Sequence, residues 1–290
     1  MNFLKKFGCA AALSLATAAA HAGPVLNDWV FNPVGGGYAS GHKIGEYLDV
    51  NGNAFIELSS TGGNTFSFKE HAVFNIVQAD SKGVLFPVKY PGGNITATFE
   101  ATGNGVLGTG SGLGNFTFSG GTIKMYQNPT NGQYSGTEGF YGANLGNLIA
   151  EFTVLAGGGG QVNADGSPLN NGNVTVWAKA EPGMLEPGYF FRNGGADLAE
   201  ESILSFAFTN ANTVGEPDET QISEIACEFA GFTGPGCDGD AYANTPNSHF
   251  FVSNNGSFKL AEIPEPGSLA LLGIAMLGAG VVSRKRVKKA

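Results

Sequence analysis

Asn94-Ile95-Thr96-Ala97-Thr98-Phe99-Glu100 places Ile95, Ala97 and Phe99 on one side of an extended chain and Thr96, Thr98 and Glu100 on the other. The period is two, as in a strand, and a helix would scatter the apolar residues around its axis. Asn173–Lys179 repeats the pattern, with Val174, Val176 and Ala178 opposing Thr175, Trp177 and Lys179. In Ile203–Thr209, Phe206 and Phe208 oppose Ser205 and Ala207. One apolar and one polar face per strand is the signature of antiparallel sheets. Further strands are predicted at Ala54–Leu58, Thr65–Val77, Val84–Tyr90, Asn115–Ser119, Thr122–Gln127, Leu148–Leu155, Gly188–Arg192 and His249–Ser253. This many short strands predict an all-β body, an antiparallel β-sandwich or jelly roll in preference to a meander.

Composition agrees. Of 290 residues, 46 are glycine and only 13% are charged, which disfavours long solvated helices. The 22 phenylalanines supply a core. Tight turns are expected at Asn51-Gly52, Gly92-Gly93-Asn94 and Asn131-Gly132, where positive φ costs little. Two short helices are expected, Asp197–Leu204 and Gln221–Phe229, the second with Ile222, Ile225, Ala226 and Phe229 as one stripe. Ala156–Asn173 reads as a long connection within one domain spanning residues 23–262.

Both ends of the chain carry membrane-related signals. Lys5 and Lys6 precede an apolar stretch, Phe7–Ala20, and Ala20-His21-Ala22 is a small-x-small site. This predicts a signal peptide over residues 1–22, cut by signal peptidase between Ala22 and Gly23. At the other end stand Ile263-Pro264-Glu265-Pro266-Gly267, the uncharged stretch 268–283, and the basic tail Arg284-Lys285-Arg286-Val287-Lys288-Lys289-Ala290. The two prolines favour an extended motif open to a processing enzyme. The 17 uncharged residues from Gly267 to Ser283 would make roughly 25 Å of helix. That is the short limit for a transmembrane helix across a core of roughly 30 Å, with the cations on the cytoplasmic side.

This three-part arrangement resembles the PEP-CTERM sorting signal of Gram-negative bacteria. The resemblance covers residues 263–290 and implies that exosortase recognises Pro264, Glu265 and Pro266 and cuts near them. It also implies an inner-membrane-anchored precursor and a product at the cell surface or in the extracellular matrix, beside exopolysaccharide. The body, through Tyr47-Leu48-Asp49-Val50-Asn51-Gly52 and Thr65-Phe66-Ser67-Phe68-Lys69-Glu70, looks like the flocculation-associated PEP-CTERM proteins. That second likeness implies a non-enzymatic protein promoting flocculation or biofilm formation.

Charge fits export. The chain has 15 Lys and Arg against 24 Asp and Glu. Two cations fall in the leader and five in the tail, and one acid, Glu265, in the tail; residues 23–263 keep eight cations and 23 acids, a net charge of −15. Such a body disfavours nucleic acid as a partner. Cys9 leaves with the leader, so Cys227 and Cys237 are expected to form a disulfide outside the cell.

Catalytic motifs are missing: there is no nucleophile elbow, no His-Glu-x-x-His and no phosphate loop. Glu57, Glu70, Glu100, Glu138 and Glu151 could be paired for glycoside hydrolysis, yet no spacing singles out two of them. No cofactor is expected. Calcium is the alternative at the oxygen-rich segments Asp49–Asn53, Glu216–Glu219 and Asp238–Asp240, which match no EF-hand and read as solvated turns. Two alternatives to a matrix protein stand: a carbohydrate-binding module, with Trp177, Tyr134 and Tyr141 as sugar contacts, and a secreted polysaccharide hydrolase.

Overall fold

The structure, a computed structural model, describes residues 24–87, 94–110, 112–130 and 132–263. The expected leader, the Ala22/Gly23 cleavage point, Pro264, Glu265, Pro266 and the apolar stretch 268–283 lie outside the described residues. Among the described residues, no helix is long and apolar enough to cross a membrane.

The described residues form thirteen strands. They are β1 (Trp29–Phe31), β2 (His42–Ile44), β3 (Tyr47–Gly62), β4 (Thr65–Ser81), β5 (Val84–Pro87), β6 (Asn94–Val106), β7 (Gly114–Asn128), β8 (Asn147–Val154), β9 (Gly157–Val162), β10 (Gly172–Ala180), β11 (Phe190–Phe191), β12 (Ile203–Thr213) and β13 (His249–Glu262). The all-β expectation holds, and most strands are longer than their apolar runs. Asn115–Ser119 and Thr122–Gln127 are two halves of β7.

The sandwich-like all-β character expected is borne out, and strand order refines it. The ladder runs β12-β13-β3-β4-β6-β7-β8-β10, and β10 also pairs with β12, so it closes on itself. β8 and β9 fill one position in the ring: β8 pairs with Gly121–Gln127 of β7, and β9 with the part from Gly114 to Phe118. The result is an eight-position meander barrel. Its two facing walls enclose a core as the sheets of a sandwich do, but the hydrogen bonding continues around both sides. Closure removes the unpaired edges that an open sheet presents. The first part of Ala156–Asn173, expected as a long connection, is strand β9.

Inside the barrel lie Leu48, Val50, Ala54, Phe66, Phe68, Ala72, Ile76, Ala97, Phe99, Ile123, Met125, Phe152, Val176, Phe250, Val252 and Phe258. Asn51-Gly52, expected as a turn, sits within β3, where Val50 pairs with Ile76 and Gly52 with Phe74. A Cβ on Gly52 would collide with the Phe74 ring and the Val73 carbonyl, so this glycine serves close packing. In β12 the small residues turn inward: Ser205 is buried, while Phe208 is exposed. Ala207, Thr209 and Ala211 of this wall border two small interior cavities.

A second apolar cluster lies on the outer face of β3, β4 and β13. Phe55, Val73 and Phe251 are covered by Tyr141, Ala143, Ile225 and Ala226. The cover includes helix α1 (Glu219–Gln221) and the π-helical α2 (Ile222–Phe229). Asp218 starts this helical segment with a capping box: its carboxylate accepts from Gln221 N–H (2.8 Å), while the Gln221 side chain accepts from Asp218 N–H (3.0 Å). The predicted stripe is borne out, with Ile225 and Ala226 buried and Ile222 and Phe229 packed at its margins. The predicted helix over Asp197–Leu204 is not present; its last two residues open β12. Under this cover Thr96 and Thr98 on the polar side of β6 are buried, and Thr96 Oγ1 donates to the Ala143 carbonyl (2.7 Å).

The expected disulfide links Cys227 on α2 to Cys237, with Cα atoms 5.5 Å apart. It closes the Gly/Pro-rich loop from which Phe232 packs on Phe55, ring centroids 5.0 Å apart.

Candidate functional site: an asparagine-lined groove

Three neighbouring strands repeat a polar residue at every second position. Asn51 and Asn53 stand on β3, Ser253 and Asn255 on β13, and Asn210 and Asn212 on β12. Residues two apart share a face, and β12, β13 and β3 are adjacent in the ring. Register aligns the set: Ser253 pairs with Asn53 and Asn255 with Asn51. With Gly52, Asn171, Asn254 and Tyr134 these residues line an open groove of about 470 Å³.

The groove wall is ordered by its own hydrogen bonds. Asn255 Nδ2 donates to Asn51 Oδ1, and Asn171 N–H donates to Asn212 Oδ1 (2.7 Å). The Tyr134 hydroxyl donates to the Val73 carbonyl (3.3 Å) and shares a hydrogen bond with the Asn53 side chain. Burial raises the Tyr134 hydroxyl above its ordinary pKa, with the neighbouring Tyr141 adding to the effect. The phenol therefore stays neutral, and no lining residue carries a charge. A primary amide offers two donors and an acceptor with two lone pairs. A row of amides is thus matched to ligands whose polar groups both donate and accept, above all sugar hydroxyls.

The three aromatic residues expected to meet sugar fare differently. Tyr134 lines the groove. Tyr141 is buried in the outer cluster, its ring edge-on to Tyr134 at 5.4 Å, so it holds Tyr134 in place and offers no open face. It is packing, against the expectation of an exposed platform. Trp177 is half-buried on β10, where it pairs with Phe206 of β12, and it is not part of the groove. The asparagines were missed in the sequence. Their signal was the recurrence of Asn at i and i+2, but three such pairs form one site only when strand order is known.

The segments weighed for calcium do local structural work. Asp49–Asn53 lies inside β3. Asp218 caps α1, and Asp238 accepts from Asp240 N–H (3.0 Å) in a turn. Among the described residues, no three His, Cys, Asp or Glu side chains form a cluster that could hold a metal ion. Of the carboxylates weighed for hydrolysis, Glu70 faces the barrel interior, Glu100 lies on the outer face near His71 Nε2 (3.6 Å), and Glu151 stands beside Lys124 (4.0 Å).

The residues next to the two expected processing points are neighbours. Glu262 N–H, at the end of β13, donates to the Pro24 carbonyl (3.1 Å). Pro24 follows the Ala22/Gly23 point, and Glu262 precedes Pro264 by two residues.

Comparison with curated proteins and with solved structures finds no match. A family model described as the PEP-CTERM protein-sorting motif matches residues 262–286. The chain therefore carries a PEP-CTERM sorting motif, which implies an exported protein processed by exosortase from a membrane-anchored precursor.

Proposed function

We propose that the exported body is a non-enzymatic surface or matrix protein that holds uncharged stretches of exopolysaccharide in the asparagine-lined groove and thereby promotes flocculation or biofilm formation. The observation that carries this reading is the groove itself: seven asparagines, a serine and a tyrosine in one concave surface of about 470 Å³. Its volume falls in the range of ordinary ligand sites. Its chemistry favours a neutral polyol over an anionic chain, because no lining residue is cationic. The acidic body would repel anionic polymers further. Signal peptidase and exosortase are the processing partners in this reading, and no nucleic acid is involved.

The test uses mature protein purified from the culture medium and a set of neutral and acidic polysaccharides. Retention on the neutral ones, insensitive to salt and lost in the double variant Asn51→Ala/Asn255→Ala, supports the reading. Equal retention of wild type and variant removes the groove from it. Shortening of the polymer during incubation would overturn the non-enzymatic assignment.

A further inference from the structure

The barrel interior holds two cavities that meet at a pair of polar side chains. One, of about 60 Å³, is lined by apolar residues including Val50, Phe74, Ile76, Ile123 and Met125. The other, of about 40 Å³, is lined by residues including Ile56, Phe66, Phe68, Phe116 and Phe250. Glu70, Val174 and Asn254 line both. Each cavity exceeds the roughly 10–15 Å³ that one water needs.

Glu70 and Asn254 are 8% and 6% exposed. Among the described residues, no side chain or backbone group hydrogen-bonds to the Glu70 carboxylate or to the Asn254 amide. Buried polar groups are ordinarily paired, because leaving them unpaired in an apolar medium is costly. Burial alone raises the Glu70 carboxyl to a pKa of about 7. Across the ladders, its neighbours are Ile56 on β3 and Ala101 on β6. Among the described residues, Glu70 is the one titratable residue lining either cavity. The nearby charged and titratable groups on β3, β4 and β6 (Glu57, Lys69, His71 and Glu100) alternate to the outer face of the sheet. The interior thus has an apolar body and one anionic, hydrogen-bond-accepting spot. Eight-stranded barrels are wide enough to be filled by side chains or to hold one small ligand.

We propose that the barrel interior binds a small, mainly apolar molecule with a single amine head group, its hydrocarbon part in the cavities and its ammonium between Glu70 and Asn254. A charge-assisted pair with the carboxylate supplies the missing partner. The two volumes together stay below the roughly 150 Å³ that a benzene-sized ligand needs, so the site selects an amine of one or two carbons. Asn254 also borders the polysaccharide groove, but this site does not rest on the reading given for it.

The test measures calorimetric binding of methylamine and ethylamine to the mature protein, with ethanol as the uncharged comparison. Amine binding should strengthen at least tenfold between pH 6 and pH 8, as Glu70 ionises. Glu70→Gln should weaken it at least tenfold at pH 8 and abolish its pH dependence, while leaving ethanol binding within a factor of about three. Ala97→Leu, which intrudes on the larger cavity and leaves both polar groups intact, covers the case in which Glu70→Gln fails to fold; it should weaken amine and alcohol alike. Absence of amine binding to folded wild-type protein at millimolar concentration would overturn the proposal, water alone then filling the cavities. Equal amine affinity in wild type and Glu70→Gln would do the same. Asn51→Ala/Asn255→Ala should leave amine binding unchanged, so loss of the groove reading and loss of this one are distinguishable.

Discussion

Phe68 on β4 pairs with Gly103 on β6, and its ring occupies the place where a Cβ of Gly103 would stand. Gly105 and Phe66 repeat the relationship two residues along. Glycine here is a seat for an aromatic ring, which explains how a chain so rich in both residues builds a closed barrel. Phe68 then meets Phe116 and Phe118 edge-on, with centroids 5.4 and 5.6 Å away.

Gly103→Ala should therefore be destabilising although the backbone there is an ordinary strand. The added methyl meets the Phe68 ring and the Thr117 carbonyl. Overpacking of this kind costs about 1–3 kcal/mol. Urea melts would show it, and Gly103→Ala with Phe68→Leu should recover part of the loss. Additive effects of the two changes would contradict the seating role.

Glu70 makes stability depend on pH. Its carboxyl is raised by burial from 4.5 to about 7. Between those values the native state keeps a proton that the unfolded chain has released. Stability from this group is thus fully present below about pH 4.5 and is lost as pH rises to about 7. The shift corresponds to roughly 3 kcal/mol. His71 and His249, whose pKa values burial lowers, act in the opposite sense and weaken the fold as pH falls below 6.5. Comparison with Glu70→Gln separates the two: the variant should gain roughly 3 kcal/mol relative to wild type between pH 4.5 and pH 8. An unchanged difference across that range would show that Glu70 is not buried as described.

Reduction of the Cys227–Cys237 bridge should loosen the outer cover. A closed loop with a sequence separation of 10 gives about 2–3 kcal/mol on the chain-entropy account. Cys227→Ala/Cys237→Ala should lower the melting temperature and raise amide exchange in α2 before the barrel strands. Uniform loss of protection across α2 and β4 would mean that cover and barrel unfold as one unit.

Phe55 is fully buried between β3 and the cover, with ring contacts to Phe232, Phe251, Tyr242 and His249. Phe55→Ala should cost about 3–5 kcal/mol. Near-ultraviolet circular dichroism should register the disturbed Tyr242. A loss below about 1 kcal/mol would place Phe55 outside any packed layer.

Much of the body was legible because alternation in a strand is local. Val174, Val176 and Ala178 announce β10 without reference to any other strand, and the Ile225–Ala226 stripe announces α2. Asn51-Gly52 misled for the same reason: its local preference is a turn, and the long pairings of β3 with β4 and β13 override it. Tyr141 misled because an aromatic residue in a loop has the same letter whether it faces water or a cover of helix and disulfide.

The sequence by itself determined that the body is made of strands, that its two remaining cysteines lie within bridging distance along the chain, and that a sorting motif occupies its C-terminal residues. Each rests on spacing within a few tens of residues. Tertiary structure alone decided that β10 and β13 both pair with β12, because ring closure is a relation among strands far apart in the chain. That closure gathers scattered asparagines into one outward groove and turns Glu70 inward, where an apolar wall removes it from water.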